Sequence, residues 1–172
     1  MSETFMIADT HFGDTNIITY ENRPFSSVED MDEKMITLWN SVVHEDDVVF
    51  HLGDVGSYSL LKMQDIIKKL NGKKILIMGN HDSHLTLREW MECGFEEVYK
   101  YSIIYNEFIV MQHQPPQYIN SSTPFFYLYG NVHGTEMYPT VTEHSACVSV
   151  ERWNYIPVEF GQLKKYVDEL HK

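Results

Sequence analysis

Apolar positions in this chain recur with two different periods. Over residues 28–43, Val28, Met31, Met35, Leu38, Trp39 and Val42 fall on one stripe and predict an amphipathic helix. Ser26 with Glu29 three positions later reads as a capping box at its start. A second stripe, Leu60, Leu61, Met63, Ile66, Ile67 and Leu70, predicts a helix over 58–70 that stops at Asn71-Gly72. A third helix is expected over 84–93, ended by Gly94. Between and after these lie short apolar runs of strand length: TFMIAD, DVVFHLGD, KKILIMGN, YSIIY, EFIVMQH, FFYLYGN and ACVSVE. The first three alternate with helices, which predicts parallel strands joined by crossovers. From about residue 97 the runs follow one another through short turns and predict antiparallel pairing. A mixed α/β domain spanning residues 1–172 follows, with two sheets packed together and helices outside.

Five of the runs end on a residue able to bind a metal. FMIAD gives Asp9, with His11 two positions on, and VVFHLGD gives Asp54. ILIMGN gives Asn80 followed by His81 and Asp82, FIVMQH gives His113, and FFYLYGN gives Asn131 followed by His133. In α/β sheets ligands gather where strands end and side chains of several strands converge. Residues i and i+2 of an extended chain point the same way, so Asp9 with His11, and Asn131 with His133, can each form a two-pronged clamp. Taken singly, an Asp or Asn after a strand is an ordinary turn former. The recurrence at five strand ends is what carries the argument.

Composition narrows the chemistry. At 172 residues, 43% of them hydrophobic, the chain can hide roughly 70% of its unfolded surface and build a full core. No apolar run approaches a membrane span, and because the opening MSETFMIADTHFGD has no basic segment followed by an apolar one, no secretory signal is expected. Cys93 and Cys147 stand far apart, as expected for reduced thiols in the cytoplasm. Thirteen basic against 25 acidic residues give a net charge of −12, which disfavours long nucleic acid and leaves a small phosphorylated ligand as the expected partner. Carboxylates, imidazoles and amide oxygens without cysteine suit manganese, iron, zinc or magnesium. If two ions lie together, Asp54 is the natural bridge, and the pair would supply the local positive charge that the chain otherwise lacks.

The ordered set D-x-H at 9–11, G-D at 53–54, G-N-H-D at 79–82, His113 and G-N-x-H at 130–133 resembles the calcineurin-like metallophosphoesterases. The opening ADTHFGDTNIITYENRPF is similar to a small single-domain bacterial and phage subgroup, and the closing VSVERWNYIPV to that subgroup's last strand. The resemblance implies an αββα sandwich with a dinuclear site between sheet edges. It implies two divalent ions, manganese first, with iron, zinc, magnesium or nickel also fitting. Asp9, His11, Asp54 and His133 would hold the first; Asp54, Asn80 and His113 the second, with Asn131 where the family has a histidine. A metal-activated hydroxide would attack a phosphomonoester or phosphodiester, His81 would serve the leaving group, and Asp82 would orient the His81 ring. A second departure is Asp14, where the subgroup usually has histidine.

Arg23 and Asn16, in the loop after the first ligand pair, are candidates for contacting substrate phosphate. His51, three positions before Asp54, is expected to face away from the site, and His44, His84, His144 and His171 to be solvated or structural. The polar loop QPPQYINSSTP is expected to cover the site, and the aromatic run at 125–129 to join the core. The alternative to an enzyme is a degenerate member kept as a binding scaffold, motivated by Asn131.

Overall fold

A computed structural model describes residues 2–170. The first sheet contains β1 (Thr4–Ile7), β2 (Val48–His51), β3 (Lys73–Ile77), β4 (Glu97–Tyr99) and β9 (Val158–Glu159), in the order β4-β3-β2-β1-β9. Strands β1 to β4 run parallel and β9 is antiparallel to β1. The second sheet contains β5 (Ile103–Tyr105), β6 (Ile109–Met111), β7 (Phe126–Tyr129) and β8 (Ser145–Cys147), in that order. Five helices accompany them among the described residues: α1 (Thr15–Tyr20), α2 (Val28–Val42), α3 (Leu60–Ile67), α4 (Leu87–Cys93) and α5 (Phe160–Leu170). The fold is the expected α/β sandwich of two mixed sheets flanked by helices.

The layering follows from strand alternation. Phe5 and Ile7 of β1 pack with α2, α3 and α4 through Met35, Trp39, Met63, Ile67 and Trp90. Met6 and Ala8 point the other way, into a second core with Phe50, Ile77, Met111, Leu128 and Ala146 between the sheets. A central strand covered on both faces is apolar at every position, and that is why these runs read as continuous rather than alternating.

Pairing after residue 97 departs from expectation. Only β5 and β6 form an antiparallel hairpin; β4 joins the first sheet parallel to β3, and β6, β7 and β8 are mutually parallel. The irregular connection over 112–125 is long enough to return the chain to the same end of the sheet. Ser27, not Ser26, caps α2: its Oγ receives the Asp30 N–H at 3.1 Å, while the Asp30 carboxylate receives the N–H and hydroxyl of Ser26. The third expected helix begins later than position 84, at Leu87, where Thr86 and Glu89 form a capping box, and His84 instead closes a 3-10 turn at Asn80–His84. Gly94 ends α4 with φ +119°, a conformation that favours glycine. The short α1 and the terminal α5 were not anticipated, although Phe160, Leu163 and Tyr166 fall at helical spacing. No helix among the described residues is long and apolar enough to cross a membrane.

Candidate metal centre

The loops that follow the strands are zipped to one another. Asp9 and His11 donate backbone N–H groups to the carbonyls of Gly53 and Asp54 at 2.9 and 3.0 Å. Gly130 donates to His113, and Ala8 is sandwiched between Val148 and Val150, which joins β1 to the chain leaving β8. These bonds bring the ends of both sheets together at one place. Two groups of ligand-type residues form there, Asp9 with His11 and His133, and Asp9 with Asp54 and His113.

Asp9, His11, Asp54, Asn131 and His133 all have positive φ, between 47° and 66°. Asp9 and His11 come together in one group, whereas Asn131 turns to His113 and His133 to Asp9 and His11; left-handed turns, not extended chain, set these directions. Each such conformation costs on the order of 1–3 kcal/mol and persists only where surrounding bonds impose it. Gly79 shows the same crowding. A Cβ there would lie 2.3 Å from Asp54 Oδ1 and 2.6 Å from its backbone nitrogen, so only glycine lets β3's end approach the Asp54 loop.

The hydrogen-bond pattern around His113 is frustrated in a telling way. Its Nδ1 lies 2.7 Å from the Leu52 carbonyl, which can only accept, so Nδ1 carries a proton. Its Nε2 then faces three oxygens: Asn80 Oδ1 at 2.9 Å, Asn131 Oδ1 at 3.2 Å and Asp54 Oδ2 at 3.3 Å. All three are acceptors, as is a neutral Nε2. With the Asn80 and Asn131 amide oxygens turned inward, a proton or a cation at the centre satisfies all of them. In the first group His11 Nε2 is buried without a hydrogen-bond partner, 3.6 Å from the same Asp54 Oδ2. Asp54 thus presents one oxygen between His11 and His113, while its Oδ1 receives the His81 N–H at 2.9 Å.

The charges respond accordingly. Burial pushes Asp9 up to about 6, with His133, His113 and the Ser149 hydroxyl pulling against it. Burial would also raise Asp54, but the His113 hydrogen bond and charge win and leave it at about 2. Burial would lower His113, and the same bond with the charges of Asp9 and Asp54 instead raises it to about 9. Burial holds His11 down, at about 4. Oxygen and imidazole donors, with no thiolate, that are this short of positive charge fit a divalent cation.

Some expected residues take other roles. Asp82 does not touch the His81 ring. Its carboxylate is fully buried and receives the backbone N–H groups of Asp54, Val55 and Gly79 at 2.7–2.8 Å. The carboxylate therefore braces the ligand loops. The His81 side chain is exposed, its ring edge-on to His11 with centroids 5.4 Å apart. Arg23 faces the interior: it binds the carbonyls of Asp9 and Thr10 and the carboxylate of Glu151 and is fully withdrawn from solvent. Asn16 is exposed in the first turn of α1, where its N–H meets the capping Asp14. Asp14 lies beside the site, 3.4 Å from His11 Nδ1.

His51 faces away as expected, buried and bonded to Thr10 Oγ1, and burial lowers it to about 3. His84 contacts the His81 and Tyr58 carbonyls, His44 is exposed beside Asp47, and His171 lies outside the described residues. Of the 112–125 connection, Gln112, His113 and Gln114 line a cleft of about 410 Å³ that also includes Asn80, Lys100 and Tyr101. A larger cavity, about 620 Å³ between Trp153 and α5, includes none of the ligand-type residues. Sequence reasoning missed Ser149 and Glu151. Ser149 Oγ donates to Asp9 Oδ2 at 2.5 Å, and Glu151 accepts from His133 Nδ1 at 3.1 Å. Their only local mark is their place inside and at the end of the last apolar run, ACVSVE.

Two mixed sheets with a carboxylate, imidazole and amide cluster at their ends define a class of α/β sandwiches built around a metal-type site. The chain belongs to the calcineurin-like phosphoesterase family, whose model matches residues 4–165. It is 33% identical to an uncharacterized protein of Methanocaldococcus jannaschii over 176 residues, covering 98% of this chain and 93% of the relative. The gene 66 protein of Mycobacterium phage L5 is 36% identical over 85 residues, 48% of this chain and 41% of that protein. The fold is shared with a protein of unknown function from Aquifex aeolicus, whose crystal structure aligns with TM-score 0.74 and 24% identity over 96% of this chain and all of that one. The family uses divalent metals, and the two ligand groups are the candidate sites for them here.

Proposed function

We propose that this protein is a metal-dependent phosphoesterase that hydrolyses a small phosphomonoester or phosphodiester. The observation that carries the reading is the set of acceptor oxygens converging on His113 Nε2 beside the unpartnered His11 Nε2. Asp9, His11, Asp54 and His133 are assigned to one divalent ion, and Asp54, Asn80, His113 and Asn131 to a second. Asp54, whose Oδ2 lies between His11 Nε2 and His113 Nε2, would serve both ions, and manganese would suit this mixture of oxygen and imidazole donors. When bound, such ions neutralise charge on phosphate oxygens and acidify water. The rest falls to the chain. His81, exposed beside His11, stands ready to give its proton to the departing alkoxide. The cleft at Lys100, Tyr101 and Gln114 offers room for the remainder of a small substrate, and the exposed Asn16 is assigned to its phosphate side.

Two features support an enzyme over a scaffold. The Asn131 amide oxygen lies 3.2 Å from His113 Nε2, within reach of the second group, which supports a working second site. The His81 side chain is exposed, makes no hydrogen bond within the described residues and stands beside His11, which leaves it free to act on a substrate. The net charge of −12 favours a small substrate over long nucleic acid, and two buried free thiols suit a reducing cytoplasm. Wild type and Asp54→Ala, each with manganese, are compared on nitrophenyl phosphate and bis-nitrophenyl phosphate. Loss of turnover by at least about a hundredfold is expected in the variant, since it removes the shared ligand. A wild type no faster than the variant on either compound would refute the reading.

A further inference from the structure

A single turn of backbone supports the first ligand group from three sides without itself supplying a ligand. Residues Val150–Arg152 form a 3-10 turn after β8. Just before it, Ser149 holds Asp9 Oδ2. Within it, Glu151 Oε1 receives the proton on His133 Nδ1, and Arg152 Nε binds the His133 carbonyl at 2.6 Å. Glu151 Oε1 also takes Arg23 Nε and Nη2, at 3.0 and 2.6 Å. Arg23 in turn spans to the carbonyls of Asp9 and Thr10 at 2.7 and 2.9 Å. The Arg23 side chain is 0% exposed and that of Glu151 7%.

A buried ion pair is a poor investment for stability, because desolvating both charges offsets their attraction. This pair even leaves Glu151 Oε2 buried without a partner. Glu21, His133 and Glu151 also lie close enough to suggest a cation of their own. The Arg23 guanidinium already neutralises Glu151, however, and His133 has only two nitrogens to offer. What the arrangement does is fix one imidazole. A neutral ring that donates from Nδ1 presents a lone pair at Nε2, the atom left for an ion.

The geometry points to Glu151 as a positioning residue for the first ion. It sets the tautomer and orientation of His133 and is itself held by Arg23, which ties it to the Asp9–Thr10 backbone. This inference rests on the metal-dependent reading above. Carboxylates behind a ligating histidine typically contribute 10–100-fold to metal affinity, to order of magnitude.

Calorimetric titration with manganese tests it on wild type, Glu151→Ala, His133→Ala and the double variant, with melting of the metal-free proteins alongside. Glu151→Ala should weaken the first ion roughly 10–100-fold and the second by less than about threefold. In the His133→Ala background the same change should cost nothing further, an outcome that general loosening of the fold would not produce. A Glu151→Ala protein that binds like wild type overturns the inference, as does an equal loss with and without His133. If Glu151→Ala does not fold, the apolar pair Glu151→Leu with Arg23→Met replaces it in both backgrounds, under the same criteria. The readout is metal, so an inactive protein that passes would defeat the phosphoesterase reading and leave this one standing. Wild type that binds no manganese would defeat the metal reading before any variant is compared.

Discussion

Asp82→Asn separates two accounts of the G-N-H-D motif. If Asp82 orients the His81 ring, the change should lower turnover and spare stability. The structure instead gives the carboxylate three backbone N–H groups in a site closed to water: Asp54 and Gly79 on Oδ2, Val55 on Oδ1. Asparagine can keep its oxygen against Asp54 and Gly79, but its amide NH2 then opposes the Val55 N–H. One hydrogen bond to a charged acceptor is lost, worth about 1.5–3 kcal/mol, and a buried donor is left unpaired at a further 1–3 kcal/mol or so. A net loss of about 3 kcal/mol is a large part of the 5–15 kcal/mol that typically holds a domain together. With a urea slope of about 2 kcal/mol/M, the midpoint should fall by roughly 1.5 M. Manganese affinity should drop as well, because the Asp54 loop loses its brace. A midpoint within about 0.2 M of wild type, combined with lost turnover, would refute the brace and restore the ring-orienting role.

Two further outcomes follow from the second ligand group. Asn131→His exchanges an amide oxygen for an imidazole beside His113 and should tighten the second ion about tenfold in a calorimetric titration; unchanged or weaker binding would count against the Asn131 geometry. Metal affinity should also depend on pH with a definite sign. His113 is raised to about 9, so below that pH it holds a proton that an ion must displace, and affinity should fall about tenfold per unit as pH drops. Below about 6 Asp9 adds a second proton and the slope should steepen. In the metal-free protein the same raised His113 stabilises the fold below its unfolded value and loses that contribution as pH rises through about 9. Titrations from pH 9 down to 5 check this, and an affinity that is flat over that range would exclude His113 as a ligand.

The sequence by itself determined the layers and the addresses of the candidate ligand residues. Burial follows local periodicity, so Met35 and Trp39 announce a helix face and Phe5 and Ile7 a doubly covered strand. Polar residues that follow such a run sit where the strand ends, and Asp9, Asp54, Asn80, His113 and Asn131 do so. Tertiary structure decided which way the remaining side chains turn. Arg23 reads from sequence as a contact for substrate phosphate, yet it lies buried against a carboxylate that stands 128 positions away. Ser149 meets Asp9 across 140 positions, and the Asn131 N–H meets it across 122. Asp82 was visible as a residue but not as a brace, since its three donors come from two separate loops. The parallel pairing of β6, β7 and β8 was hidden for the same reason. Local pattern records how much of a side chain leaves water, whereas the direction it takes depends on groups the chain brings near only when both sheets have closed.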